Sequence, residues 1–381
     1  MRVSLLAGGA HLEDRFGRTI DTIREAGYDV AAEIPFLAGD DSDQGMAEGI
    51  GRATLEFAEA LGRLRPDLLL LVADRFEMLA PASAAMALRI PMAHIEGGEV
   101  SEGAIDQQVR DALTKMSHLH FAPTQAAGAR VIAMGEEPWR VTVTGTPSLD
   151  HLVIDELPSP GAVEAAIGMP LEPAPVVVCF HPTTIHRDTT DEAVIFFEAI
   201  ERCHRPLVFC FPNADAGYMR IIELAEGICG RRDDAVLRIN LNHLVYWALL
   251  REAACLAGNS SSGIMEAASL ALPAVNVGIR QHGRTRAANI IDAPAEPAAI
   301  QAALTHALDP VFQSTLTGMT NPYGTGHAAE VIVERLMTIT LGPTLLQKRC
   351  TSPVDSPAAQ PRLLTGFPDV PARVQATGTT P

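Results

Sequence analysis

Leu68-Leu69-Leu70-Leu71-Val72-Ala73-Asp74-Arg75-Phe76-Glu77 is the stretch that decides the fold. Five consecutive apolar residues without alternation predict a strand buried on both faces, the habit of parallel sheets. Helical spacing over 76–88 follows directly, so the stretch is a strand–turn–helix unit. The same unit recurs along the chain. Strands are predicted at 3–7, 91–95, 120–122 and 141–144, with helices over 12–26, 46–64, 106–117 and 125–134. A second series has strands at 176–180, 207–211, 236–239, 254–257 and 274–277. Helices over 192–202, 216–229, 243–251, 264–270, 298–308 and 328–337 alternate with them. Alternation of this kind argues for parallel sheets with helices on both faces. The segment 157–175 holds Pro158, Pro160, Pro170, Pro173 and Pro175 around a weak helix and reads as the connection between two domains. The expected limits are 1–156 and 175–325, then a closing helix at 326–341. The Pro- and Thr-rich tail 342–381 is expected to be disordered.

Composition narrows the class. The 381 residues are 47% apolar and 20% charged, with a net charge of −17. Phosphate backbones and anionic lipids attract basic faces, so neither nucleic acid nor a membrane surface is an expected partner. Lys115 and Lys348 are the only lysines. Neither lies in a Gly-rich loop, which argues against a P-loop NTPase. The six cysteines form no CxxC pair, and Cys179, Cys210 and Cys255 fall in predicted strands. They read as free thiols, not disulfides or zinc ligands. No apolar run reaches the roughly 20 residues of a membrane span, and the start has no signal-peptide pattern. A cytoplasmic protein is expected.

Candidate chemistry lies at predicted strand ends, where open α/β sheets bind ligands. Asp74 leaves the first strand quoted above; its plainer role is to cap the next helix. His94-Ile95-Glu96-Gly97-Gly98-Glu99 ends another strand, with two acids flanking a turn that is otherwise simply solvated. Asp106 opens a helix as an expected N-cap, with Arg110 as an i,i+4 partner. Gly258-Asn259-Ser260-Ser261-Ser262-Gly263-Ile264-Met265-Glu266 runs from strand to helix. Its small residues leave backbone N–H groups open to an anion, and Glu266 is placed to accept from a ribose diol; a Ser cap with a Gly turn is the bland alternative. His181-Pro182 follows the strand at 176–180. Arg280, Arg284 and Arg286 follow the strand at 274–277, as ligand contacts or as a solvated cluster. Carboxylates from one domain and phosphate donors from the other suit a nucleotide-sugar enzyme acting at the anomeric carbon.

At these residues the chain resembles the hydrolysing UDP-N-acetylglucosamine 2-epimerases. The motifs Asp74-Arg75-Phe76-Glu77, His94 to Glu99, Ile105-Asp106 and Thr114 to His120 fall in that family's order. So do Gly145-Thr146-Pro147-Ser148-Leu149-Asp150, Phe180-His181-Pro182, Pro212-Asn213-Ala214-Asp215, Gly258 to Gly263 and Asn321-Pro322-Tyr323-Gly324. The resemblance implies the GT-B fold, two Rossmann-like domains with parallel sheets, commonly as a homodimer. It implies loss of UDP by elimination to a 2-acetamidoglucal, then hydration to a free manno-configured sugar. Asp74, Glu96 and Asp106 match the family's essential carboxylates, with the base unassigned. His181 matches the histidine near the diphosphate. Ser260, Ser261, Ser262, Gly263 and Glu266, with Arg280, match the UDP-binding side. No cofactor and no metal is implied. The substrate is UDP-N-acetylglucosamine or a UDP-2,4-diacetamido-2,4,6-trideoxyglucose.

The chain departs from the family in two places. It begins at what stands for the family's second strand, Leu5-Leu6-Ala7-Gly8-Gly9-Ala10-His11-Leu12, without a first strand or its Gly-Thr-Arg-Ala-Glu-type turn. Loss of an inner strand is expected to expose apolar edges, and implies either an upstream start or an impaired protein. Ala73 replaces a usual Gly. The rival readings are a non-hydrolysing 2-epimerase, a GT-B glycosyltransferase, and a nucleotide-sugar-binding protein without turnover.

Overall fold

The computed structural model describes residues 1–37, 39–72 and 74–351. Ala73 and residues 352–381 of the tail lie outside the described residues.

Among the described residues there are twelve strands, and all pair in parallel. In the N-terminal half they are β1 (Leu5–Gly8), β2 (Val30–Ile34), β3 (Leu69–Val72), β4 (Met92–Ile95), β5 (Leu119–Ala122) and β6 (Val141–Val143). The C-terminal half has β7 (Val176–Cys179), β8 (Leu207–Cys210), β9 (Ala235–Arg238), β10 (Cys255–Gly258), β11 (Ala274–Val277) and β12 (Ile290–Ala293). Its six strands form one sheet in the order β12-β11-β10-β7-β8-β9. That order reverses direction between β7 and β10, so the crevice above their carboxyl ends is the natural ligand position. Strands β7, β10 and β11 are buried throughout and carry mostly Val, Ala, Leu and Cys, as a sheet covered on both faces requires. Phe180, Phe196, Phe197 and Phe209 pack together on one face, and Val163, Ile167, Leu249 and Leu256 on the other. The two halves are Rossmann-like domains facing a cleft, the GT-B arrangement expected from the sequence.

The N-terminal domain is not one sheet. β1 pairs only with β2, and β3-β4-β5-β6 form a separate four-stranded sheet. The expectation that β3 is buried on both faces is therefore corrected. Leu69 and Leu71 are buried, but Leu70 is 40% and Val72 54% exposed. β3 is an edge strand with one open face.

Three other expectations change. The helix expected over 12–26 is two short 3₁₀ turns followed by the helix Ile20–Glu25. Gly17 at φ 78° and Arg18 at φ 43° are left-handed and interrupt it. The helix expected over 264–270 begins earlier, as Ser261–Met265, and breaks at Glu266 into a 3₁₀ turn. The tail expected to be disordered from 342 instead folds through its first ten residues. Pro343–Leu346 is a helical turn, and Leu345 packs with Ala93, Ile95, Phe121 and Ile332 under the first sheet. Lys348 Nζ donates to the Lys115 and Ser117 carbonyls, each at 2.7 Å, and pairs with Glu136 at 2.8 Å. All six cysteines are free thiols, three of them buried. Among the described residues no helix is long and apolar enough to cross a membrane.

Candidate active site

Asp74 stands two residues beyond the end of β3, and the helix Asp106–Met116 supplies its partner Arg110. Arg110 is 1% exposed. It donates to Asp74, to Ser101 Oγ at 2.9 Å and to the Glu99 carbonyl at 3.1 Å. Arg284 approaches the same Asp74 carboxylate to 3.8 Å from the C-terminal domain. Burial alone would raise the Asp74 pKa, but Arg110, Arg284 and Arg280 outweigh it and hold it below the usual range. Asp74 is thus no helix cap, and Arg110 partners it instead of Asp106.

Asp106 lies in the opposite environment. It is the first residue of its helix, with Ile105 and not Asp106 at the cap position. It is buried, and its nearest cation, Arg280, stands 4.0 Å away. Burial first, and then the neighbouring Asp74 charge, push its pKa up to about 6. Two carboxylates of one cleft are therefore driven apart in acidity, the pattern that separates proton-handling from charge-holding roles.

Glu96 follows β4 with φ at 70°, a left-handed conformation unusual for a side-chain-bearing residue. Gly98 beside it, at φ 81°, has no room for a Cβ, which would lie 2.2 Å from the Ala127 carbonyl oxygen. The turn holds the Glu96 carboxylate where the Thr146 hydroxyl donates to it. Burial raises its pKa, and Thr146 partly offsets this.

The opposite wall begins at His181, just beyond β7. Its backbone N–H donates to Asn259 Oδ1 at 2.7 Å, and Asn259 Nδ2 returns a bond to the His181 carbonyl at 2.9 Å. This exchange locks together the ends of β7 and β10. His181 Nδ1 accepts from the Asn213 N–H at 3.1 Å. An accepting Nδ1 fixes the neutral tautomer with its proton on Nε2. Burial, then Arg280 and Arg75, lower its pKa well below the usual value, so His181 offers a hydrogen bond but does not take up a proton.

Ser260, Ser261 and Ser262 follow β10 and line the cleft. Ser260 caps the short helix by accepting from the Ser262 N–H at 3.3 Å. Arg280 reaches across from the loop after β11 and donates to the Asn259 carbonyl at 3.2 Å. The cleft is open at its mouth and has a cavity volume of ≈ 360 Å³, within the range of small-molecule sites.

Of the sequence-predicted residues, Asp74, Asp106, His181, Ser260, Ser261, Ser262, Arg280 and Arg284 share this cleft. Four others stand off its wall. Glu96 does not line it, although the Asp74 charge still reaches Glu96 and adds to the burial that raises its pKa. Gly263 packs against Ala274 and Leu256. Glu266 accepts from the Ser262 hydroxyl at 2.6 Å. Arg286 turns away to Asp292 at 3.0 Å. Sequence reading missed the clamp made by Arg75, which follows Asp74 and lines the cleft. Arg75 pairs with Glu77 at 2.8 Å and with Asp215 of the other domain at 3.2 Å. Arg110, Tyr246 and Gln281 were also missed as site residues. The only available signal was that Arg75 and Asp215 belong to motifs already singled out for other members.

Comparison with known proteins agrees with the geometry. The family model described as UDP-N-acetylglucosamine 2-epimerase matches residues 1–337. The chain is 33% identical over 297 residues to a Campylobacter jejuni protein named GDP/UDP-N,N'-diacetylbacillosamine 2-epimerase (hydrolyzing), covering 77% of each chain. It is 32% identical over 350 residues to a Legionella pneumophila UDP-N,N'-diacetylbacillosamine 2-epimerase (hydrolyzing), covering 91% of this chain and 90% of that one. In fold it is similar to the Neisseria meningitidis UDP-GlcNAc 2-epimerase crystallised with UDP-GlcNAc. The TM-score is 0.71 at 17% identity, covering 89% of this chain and all (100%) of the other. The chain belongs to the UDP-N-acetylglucosamine 2-epimerase family.

Proposed function

We propose that the chain is a hydrolysing 2-epimerase that converts a UDP-2-acetamido sugar to UDP and the free manno-configured sugar. The observation that carries this reading is the pairing of Asp74 and Asp106 in one cleft, one acidified by arginines and the other raised to about 6 by burial. The diphosphate lies between His181, Ser260 to Ser262 and Arg280, whose donors stabilise the leaving UDP as the C1–O bond breaks. Asp106 removes the C2 proton and the electron pair forms the C1–C2 double bond of the glucal. A proton then returns to C2 on the opposite face and water adds its hydroxyl to C1. The net reaction consumes one water and needs no redox step. Asp74 stays ionised and holds Arg110, Arg280 and Arg284 in place, and Glu96 positions the Thr146 loop.

Relatives at 32–33% identity are named for the N,N'-diacetylbacillosamine nucleotide, so the 2,4-diacetamido-trideoxy sugar is the first substrate to test and UDP-N-acetylglucosamine the second. The proposal includes a cytoplasmic homodimer, on the resemblance alone. Chromatographic assay of UDP and free sugar with both substrates tests it. Stoichiometric UDP and free manno-sugar from either one is expected; return of an epimeric UDP-sugar would overturn the hydrolytic part. A nucleotide-sugar binder without turnover is the second reading, favoured by the separation of β1 from β3. UDP binding without any product would establish it.

A further inference from the structure

The segment that leaves the N-terminal domain carries chemistry that the cleft does not use. His151 opens the short helix His151–Ile154, and Asp155 caps its end. His151 Nδ1 lies 2.7 Å from Asp155 Oδ2. His243 is the first residue of the helix His243–Glu252 in the C-terminal domain. The two imidazole rings stand 4.4 Å apart, tilted by 43°. One ligand atom from each of the three side chains falls within 4.8 Å of the others.

We propose that His151, Asp155 and His243 form a divalent transition-metal site that clips the last helical turn of the N-terminal domain to the C-terminal domain. Two imidazoles and one carboxylate are a common donor set for zinc, nickel, cobalt or iron(II), and leave open positions for water. Oxygen-only cations such as magnesium and calcium prefer carboxylates and carbonyls and are a poor match. Tetrahedral zinc with bonds near 2.0–2.1 Å sets its ligand atoms about 3.3 Å apart, so separations that now reach up to 4.8 Å close by up to about 1.5 Å on binding. His151 and Asp155 are partly exposed and His243 is exposed, which leaves their side chains free to make that movement. The position gives the site a consequence. Asn240 and Leu241, just before His243, line the cleft, and so does Tyr246 on the same helix. Thr146, five residues before His151, holds Glu96. A metal here restrains both segments at once, away from the reacting atoms.

The test is calorimetric titration of Zn²⁺ and Ni²⁺ into the full chain at pH 7.5. The variants are His243→Ala, His151→Ala and, as a control, His186→Ala. His186 has a comparable Asp191 partner at 3.4 Å but no second imidazole. One site with Kd of about 10 µM or tighter is expected. Both His243→Ala and His151→Ala should weaken it at least about tenfold, and His186→Ala should leave it unchanged. Circular dichroism melts confirm that the variants are folded. Undetectable binding to the wild-type chain, or equal binding to folded His243→Ala, would overturn the proposal.

Discussion

Asp74 and Asp106 show how identical side chains acquire different chemistry. Asp74 faces three guanidiniums and stays charged; Asp106 is buried beside that charge and holds its proton up to about pH 6. Asp106→Asn should retain UDP binding and lose about 10²–10⁴-fold in kcat, the usual contribution of one general base; steady-state kinetics with a UDP titration checks both. If Asp106 is the base, log kcat/KM should fall with unit slope as pH drops below about 6. Stability should run the other way. A carboxyl whose pKa rises on folding stabilises the protein below its unfolded pKa, and that stability is lost as pH rises through the folded value. Asp106→Asn should therefore be about 1–3 kcal/mol more stable than wild type at pH 7.5, with a smaller gain at pH 5. Thermal melts at the two pH values read this directly. The sequence shows both aspartates at strand and helix ends, but the environment that separates them comes from Arg110, Arg280 and Arg284. Ordinary i,i+4 logic assigned Arg110 to Asp106, whereas the buried guanidinium points to Asp74, 36 residues away.

Elements with strong patterning were legible. The apolar runs at β7, β10 and β11 appear where their composition places them, because a strand covered on both faces tolerates little else. β2 and β12 escaped notice. Val30-Ala31-Ala32-Glu33-Ile34 is rich in alanine, and Ile290-Ile291-Asp292-Ala293 is short and carries an Asp; both lie at sheet edges, where burial writes little into the sequence. β3 gave the reverse error, since its four apolar residues read as doubly covered while two of them, Leu70 and Val72, face outward. Leu70→Thr should accordingly cost less than about 0.5 kcal/mol in urea denaturation. A loss above about 2 kcal/mol would show that Leu70 is covered.

At the scale of the whole molecule the cleft is held by pairs that cross between domains. Arg75 meets Asp215, Arg280 faces Asp106, and Arg284 stands 3.9 Å from Glu99. Tyr323 adds the last tie, its hydroxyl donating to Glu99 Oε2 at 3.1 Å. It comes from the Asn321-Pro322-Tyr323-Gly324 motif, and its carbonyl accepts from the Thr146 N–H at 2.9 Å. Sequence shows that motif but not its partner 224 positions away. Tyr323→Phe leaves the buried Glu99 carboxylate short of a donor and should cost about 1–3 kcal/mol in chemical denaturation. The direct test of the catalytic reading is proton NMR of the purified chain turning over its UDP-sugar in deuterated water. Free manno-configured sugar bearing deuterium at C2, released together with UDP, is expected if C2–H is broken and water is added. Free sugar that retains its C2 proton, or a spectrum unchanged with both UDP-sugars, would contradict it.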